Sequence, residues 1–385
     1  MNISLLIGLK NNLDYTKNFY NTTRQLYPNI ELCFVSYGST DGTNEWLDSL
    51  NDENVKYFHS TESKTFSDTF NKAASLATKD YIMFLHNDIV IAPNFLENIE
   101  KHLSTNSIVS YTTIEPPIFA GHERPGKIIK DFGTDINTFK LNEMYEFVDS
   151  QRKVYQDKTE PGIAFFMCMP KDKYLEIGGL HNIFSPMFCE DDDLILRWKL
   201  LGLNLFTSLD SVCYHFVSKT SRFSEEYQQR TREIEQHSNK NFIRKWGFRN
   251  SKHNKKYNTA FIVHNCNLSL LEALEPWCDR IYVNEKFNTS GRAQDYIERE
   301  SENTSFDLSK RVLNIKENDP YSENDIILEF DALKFSPEAF NIIQNLSDII
   351  TESGEVGEFE LDCFKVTIHN IKDYSNELIY IRANT

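Results

Sequence analysis

The chain opens on short, continuously apolar runs separated by segments of helical period. Ile3 to Leu9 reads as a buried strand, Leu13 to Tyr27 as a helix, Ile30 to Ser36 as a second strand, and Asn44 to Leu50 as a helix entered through the turn GSTDG. Val55 to His59 follows as a strand, Phe66 to Ala77 as a helix, and YIMFLH, ending at His86, as another strand. Strands apolar along their whole length must be covered on both faces. Their alternation with helices predicts an α/β fold, a mostly parallel sheet flanked by helices. Ligands of such sheets collect at the carboxyl ends of the strands, which draws attention to Leu9 to Asn11, Ser36 to Asp41 and His86 to Asp88.

Farther along, Leu194, Ile195, Trp198 and Leu201 keep helical spacing behind four consecutive acids, Glu190 to Asp193. Residues 240–256 then carry Lys240, Arg244, Lys245, Arg249, Lys252, Lys255 and Lys256 with no acid among them, which reads as a solvated basic connector. The strand and helix rhythm resumes after Tyr257 with TAFIVH, SLLEALEPW, RIYVNE, DIILEFDAL, PEAFNIIQNLSDII and FKVTIHN. The pattern predicts a larger domain over 1–250 and a smaller α/β domain over 257–385.

Composition narrows the function. A length of 385 residues suits two or three domains with cores of their own. A net charge of -16 repels phosphate backbones, so a nucleic-acid partner is not expected, and a small anionic substrate would need a bound cation. The basic run is the one feature that suggests peripheral membrane contact. The seven cysteines form no CxxC pair, and they predict reduced thiols rather than disulfides or a zinc ribbon. The first residues lack a basic leader region, and no stretch reaches the ~18 apolar residues of a membrane span. A cytoplasmic protein is the expectation, with the Asn-x-Ser/Thr triplets, among them those at Asn21, Asn267, Asn288, Asn303 and Asn345, as chance products of an Asn-rich chain.

The candidate chemistry lies in three places. His86-Asn87-Asp88 ends an apolar strand, where Asp88 could hold a hard divalent cation; the plain alternative is a turn. Glu190 to Asp193 begin a helix, where acids complement the dipole, yet an aromatic and methionine-rich flank (Phe184, Met187, Phe188) favours a partly desolvated carboxylate acting as a general base. His215 ends the run VCYHF, where it could complete a metal site begun by Asp88.

Together these segments resemble a family 2 glycosyltransferase of the GT-A fold. SLLIGLKNN is similar to the family's opening strand and turn, and SYGSTDGT to its (D/N)-x-G-S-x-D-x-T turn. FNKAASLATKDYIMFLHNDIVIAPNFLENI resembles the stretch from an Asn-containing helix into the DxD-type metal motif. GIAFFMCMPKDKYLEIGGLHNIFSPMFCEDDDLILRWKLLG resembles the acceptor-side segment with its ED-x-D motif. VCYHF looks like the closing metal-ligand histidine, and FIRKWG like the family's usual ending, so the likeness covers about residues 1–250.

The resemblance implies an inverting transfer of a sugar from a nucleotide-diphosphate donor to a hydroxyl of a glycan or other acceptor, with Mn2+ or Mg2+ as cofactor. It implies Asp191 as catalytic base with Glu190 beside it, and Asp88 and His215 as metal ligands. Leu9, Asn11, Ser36, Gly38, Asn71, His86 and Asn87 would border the donor. Three departures stand out. Ser36 and Tyr37 occupy positions where an Asp commonly reads the base, so a uridine donor is not assumed. His86 stands where the family often has the first Asp, and Gly8 and Lys10 replace the usual Pro and aromatic, with Lys10 expected to be solvated.

The C-terminal part faintly resembles the Rossmann-like fold of S-adenosylmethionine-dependent methyltransferases, with Glu285 at the ribose-binding position. HNCNLS stands in place of the glycine-rich turn, and a non-catalytic or assembly role is expected. The alternatives are a nucleotide-sugar or glycan-binding protein of the same fold without turnover, or a bifunctional glycosyltransferase/methyltransferase. Homo-oligomerisation is left open.

Overall fold

A computed structural model describes residues 1–118, 121, 123–217, 228–249, 255–285, 287, 292–316 and 321–381. The chain divides into two compact units: Met1–Asn182 with Glu190–Arg232 and Tyr380–Thr385, and Ile183–Cys189 with Glu233–Ile379.

The first unit is built on one sheet. Its strands are β1 (Ile3–Leu9), β2 (Glu31–Tyr37), β3 (Val55–Ser60), β4 (Tyr81–His86), β5 (Ile89–Ile91), β6 (Ser107–Glu115), β7 (Lys127–Ile129), β8 (Thr159–Pro161), β9 (Met167–Pro170) and β10 (Asn204–His215). The order is β3-β2-β1-β4-β9-β6-β10-β5, with β7 beside β6 and β8 beside β10. The pairs β3-β2, β2-β1, β1-β4, β6-β10 and β6-β7 are parallel; β9, β5 and β8 run antiparallel to their neighbours. The mostly parallel sheet expected from the apolar runs is therefore present. Its helices are α1 (Leu13–Leu26), α2 (Thr43–Ser49), α3 (Phe66–Leu76), α4 (Phe95–Glu100), α5 (Leu141–Tyr155), α6 (Lys171–Glu176) and α7 (Glu190–Leu200).

Burial explains the strand composition. Ile3, Leu5, Ile7, Phe34, Met83 and Leu85 pack with Phe19, Phe95 and Ile99 in one cluster, while Val90, Ile114, Met144, Val148 and Tyr214 form another. Gly8 answers a close approach, since a Cβ there would lie 3.0 Å from Thr69 Cγ2 and 3.1 Å from Phe70 Cε2 of α3. Thr65 and Asp68 close a capping box that fixes where α3 starts.

The second unit contains α8 (Thr231–Trp246) from Glu233 onward and a six-stranded sheet. Its strands are β11 (Thr259–His264), β12 (Arg280–Val283), β13 (Val312–Asn314), β14 (Ile326–Asp331), β15 (Gly357–Leu361) and β16 (Phe364–Ile368). The order is β13-β12-β11-β14-β16-β15; the first four are parallel, and β15 and β16 form an antiparallel pair at one edge. Helices α9 (Leu268–Leu274), α10 (Ala293–Glu300), α11 (Pro337–Gln344) and α12 (Leu346–Ser353) complete the unit, around a core that includes Phe261, Leu274, Ile281, Leu328 and Phe364.

The basic run departs from the sequence reading of a solvated connector. Arg244, Lys245 and Lys256 are buried, and Lys240 pairs with Glu272 and Glu300; residues 250–254 lie outside the described residues. The Glu275 carboxylate accepts from Arg244 Nε at 2.9 Å, Arg311 Nε at 2.6 Å and Tyr296 Oη at 2.9 Å, while Arg244 Nη2 lies 2.7 Å from Glu300 Oε1. Burial opposes charge on Glu275, but Arg311 and Arg244 outweigh it and lower its pKa. Glu275→Ala leaves two guanidiniums without their shared counter-charge. Urea unfolding is expected to show a loss of about 3–5 kcal/mol in the second unit.

Candidate active site

The chain runs from β1 outward through β2 to β3 and then returns to β4 on the other side of β1, so the direction of winding reverses between β1 and β4. A crevice opens at such a point, outside the carboxyl ends of the strands. Gly8 of β1 and His86 of β4 are register partners at that end of the sheet.

On the β1 and β2 side, two loops are laced together. Asn11 adopts φ 59, its Oδ1 accepts from Thr40 N at 2.7 Å and its N donates to Ser39 Oγ at 2.9 Å. Ser36 Oγ lies 2.8 Å from both Ser39 Oγ and Asn44 Oδ1. Leu9 and Ser36 are buried, so they shape this rim from below. Gly38 takes φ 67, and a Cβ there would meet Ser63 Oγ at 2.8 Å. Lys10, expected to be solvated, is partly buried with Nζ 3.0 Å from Ser63 Oγ.

On the β4 side the structure brings three sequence-predicted residues together. His86, Asp88 and His215 each offer a ligand atom within 4.8 Å of the others. Asp88 Oδ1 stands 3.4 Å from His215 Nε2 and 3.9 Å from His86 Nδ1. Buried His86 Nε2 has no hydrogen-bond partner among the described residues. Burial pushes the His86 pKa down to about 4, with the Asp88 charge opposing it. For His215 burial also disfavours the charge, but Asp88 and then Glu115 outweigh it and raise the pKa to about 9. Asn87 is buried and donates from Nδ2 to Thr16 Oγ1 at 3.0 Å, which ties the turn to α1.

Two further groups at this site escaped the sequence reading. Phe165 and Phe166 place their rings 4.9 Å and 5.0 Å from the His86 ring, and Phe166 lies 5.0 Å from that of His215. Glu115, last residue of β6, puts Oε1 3.2 Å from His215 Nδ1. The only local signal for Glu115 was a carboxylate closing the apolar run SIVSYTTIE; its partner lies 100 residues away.

The four acids of α7 have separate fates. Asp193 and Arg197 form a fully buried ion pair at 2.9 Å, and Arg197 also donates to Ile177 O and Gly179 O, which locks α7 to the glycine turn. Asp192 is exposed, Glu190 is buried, and Asp191 is partly buried. Burial, with the Asp192 charge second, lifts the Asp191 pKa to about 6. Phe188 (φ 77) and Cys189 (φ 69) precede it in the left-handed region, at roughly 1–2 kcal/mol each. Within the second unit, Ser238 Oγ donates to Met187 O at 2.8 Å and Asn241 Nδ2 to Ile183 O at 3.0 Å, which holds this segment. Asn71 braces the glycine turn: Nδ2 donates to Leu180 O at 2.8 Å, and Oδ1 accepts from Tyr174 Oη at 2.6 Å and Leu180 N at 2.9 Å.

Residues 4–174 match Glycosyl transferase family 2. In the matched segment lie the laced loops, His86 and Asp88; Glu190, Asp191 and His215 follow it in the chain, so geometry alone joins His215 to the cluster. No curated protein sequence matches the chain. Among solved structures it is similar to the mannosyltransferase PcManGT from Pyrobaculum calidifontis in complex with GDP-Man and Mn2+, at 17% identity over 57% of this chain and 58% of that one, TM-score 0.40. It is also similar to S. aureus TarS 1-349, at 16% identity over 63% and 70%, TM-score 0.41. GalNAc-T7 with UDP, GalNAc and Mn2+ matches at 12% identity over 56% and 44%, TM-score 0.42. The matched region thus spans little over half of the mannosyltransferase.

Proposed function

We propose that the protein is a metal-dependent, inverting glycosyltransferase moving a sugar from a nucleotide-diphosphate donor to a hydroxyl of a glycan or other acceptor. The observation that carries this reading is the convergence of His86, Asp88 and His215 at the crevice of a family 2 segment. The donor set fits a divalent cation: two imidazoles and a carboxylate, largely buried, with Nε2 of each imidazole lacking a hydrogen bond among the described residues. Two nitrogen donors suit Mn2+ better than Mg2+, which prefers oxygen. Such an ion, when bound, neutralises charge on a leaving diphosphate.

The chain's own groups supply the rest. Asp191, ionised above a pKa of about 6, accepts the proton of the acceptor hydroxyl while that oxygen bonds to the anomeric carbon. The bond from that carbon to the diphosphate breaks on the opposite face, which inverts the centre without a covalent intermediate. Glu190 stands beside the base. Phe165 and Phe166 keep water from the cation ligands. The loops carrying Leu9, Asn11, Ser36 and Gly38 border the nucleotide, and Asn71 acts by holding the glycine turn that leads toward α7. Ser36 and Tyr37 bring no carboxylate to the base, so a uridine donor is not assumed.

The second unit is assigned no methyl transfer. After β11, Asn265 rather than glycine takes the left-handed turn (φ 53), with Nδ2 donating to Asp331 Oδ1 at 3.0 Å. Among the described residues no helix is long and apolar enough to cross a membrane.

The test is a panel of UDP-, GDP-, CDP- and dTDP-sugars with Mn2+, read by release of nucleoside diphosphate and by thermal shift. One nucleotide class is expected to raise the melting temperature and to turn over only with the cation. Cation-dependent binding of a nucleotide sugar without turnover on any acceptor would favour a binding protein instead.

A further inference from the structure

We infer that Glu115 is a positioning residue for the cation site: it holds His215 in the tautomer and orientation that present Nε2 to the ion. The inference rests on the metal-site reading above and adds a residue to it.

The sheet register creates the arrangement. Strand β10 lies between β5 and β6. Its antiparallel pairing sets His215 opposite Ile89, the residue after Asp88, and Phe216 N donates to Asp88 O at 2.9 Å. Its parallel pairing sets Tyr214 opposite Ile114, the residue before Glu115. His215 is therefore flanked by two carboxylates, Asp88 from the turn just before β5 and Glu115 from the end of β6. The two ring nitrogens divide between them, Nε2 at 3.4 Å from Asp88 Oδ1 and Nδ1 at 3.2 Å from Glu115 Oε1.

Glu115 is itself held in place. Its Oε2 lies 3.0 Å from Lys127 Nζ, and Thr113 Oγ1 donates to Oε1 at 3.3 Å. Lys127 comes from β7, paired with β6 so that Thr113 faces Lys127. One carboxylate oxygen is thus anchored by a cation while the other faces the imidazole.

An imidazole binds a metal through one nitrogen only when its proton sits on the other. A carboxylate accepting that N–H fixes the tautomer, the ring angle and the basicity of the ligand nitrogen. The plainer account is that Glu115 and Lys127 form a buried ion pair with no bearing on the ion. The two accounts differ in what Lys127 should do.

The experiment titrates metal-free full-length protein with Mn2+ alone, by calorimetry and by electron paramagnetic resonance of free Mn2+. Glu115→Gln is expected to weaken Mn2+ binding about 10–100-fold. Lys127→Met removes the ion pair at Oε2 but leaves Thr113 Oγ1 on Oε1, the oxygen that faces His215, so Mn2+ affinity should stay within about threefold of wild type. Equal losses in both variants, or unchanged affinity in Glu115→Gln while Asp88→Ala abolishes binding, overturn the inference and leave the metal site standing. A wild type that binds no Mn2+ overturns the metal-site reading and this inference with it. Should Glu115→Gln fail to fold, the wild type still decides: nitrogen-15 spectra of the Zn2+-loaded protein are expected to show the His215 proton on Nδ1, and a proton on Nε2 refutes the role.

Discussion

Asp191→Asn is expected to lower kcat by about 100- to 10,000-fold while donor affinity stays within a few-fold of wild type, because the amide keeps the shape of the carboxylate but accepts no proton. The same variant should melt no lower than wild type at pH 7. The sign follows from the shift: the folded pKa is about 6 against an ordinary 3.8, so the folded state holds the Asp191 proton more tightly than the unfolded chain. Stability from this group is present below about pH 4 and lost as the pH rises toward 6; at pH 7 the ionised carboxylate destabilises the fold, and the amide escapes that cost. Each kcal/mol recovered raises Tm by about 2–4 °C. In the wild type, kcat should fall about tenfold per unit as the pH drops below 6, since only the ionised form is a base. A variant with activity within a few-fold of wild type would remove Asp191 from the mechanism.

Asp88→Ala should abolish the cation-dependent part of nucleoside diphosphate binding, a loss exceeding the ~10–100-fold typical of an outer partner such as Glu115. Asp88 is the central member of the cluster, within 3.9 Å of both histidines, and no other described carboxylate of that cluster faces both. Calorimetry of UDP and GDP with Mn2+ and then with chelator reads the effect, and His215→Ala should weaken binding less completely. Diphosphate affinity that is the same with and without chelator in the wild type would rule out the cation site.

Much of the first unit was legible in the sequence because its strands are buried on both faces. A strand covered twice must be apolar throughout, and ISLLIGL, ELCFVSY and YIMFLH announce this locally, as the turn GSTDG does for the helix it opens. The positions where chemistry should collect followed from the same pattern, and His86, Asp88 and His215 do meet.

The four acids of α7 show where such reading stops. As letters Glu190, Asp191, Asp192 and Asp193 are interchangeable helix-start acids. Arg197 neutralises Asp193 one turn on, a pairing that the spacing allows but does not announce; burial separates Asp191 from exposed Asp192. Asn71 could be placed on its helix, yet its contacts with Tyr174 and Leu180 depend on how α3 meets a turn more than 100 residues away.

The sequence by itself determined the α/β rhythm, the strand ends that border the crevice and the likeness of residues 4–174 to Glycosyl transferase family 2, because burial periodicity and motif spacing are local properties. Tertiary structure alone decided the partners of charge. The basic run from Lys240 looked solvated because its acids, Glu275, Glu300 and Asp279, lie beyond any local window; folding turned it into buried ion pairs. Glu115 became a neighbour of His215 for the same reason. Coulomb energy depends on distance in space and on the water removed from between the charges, and neither quantity is written along the chain.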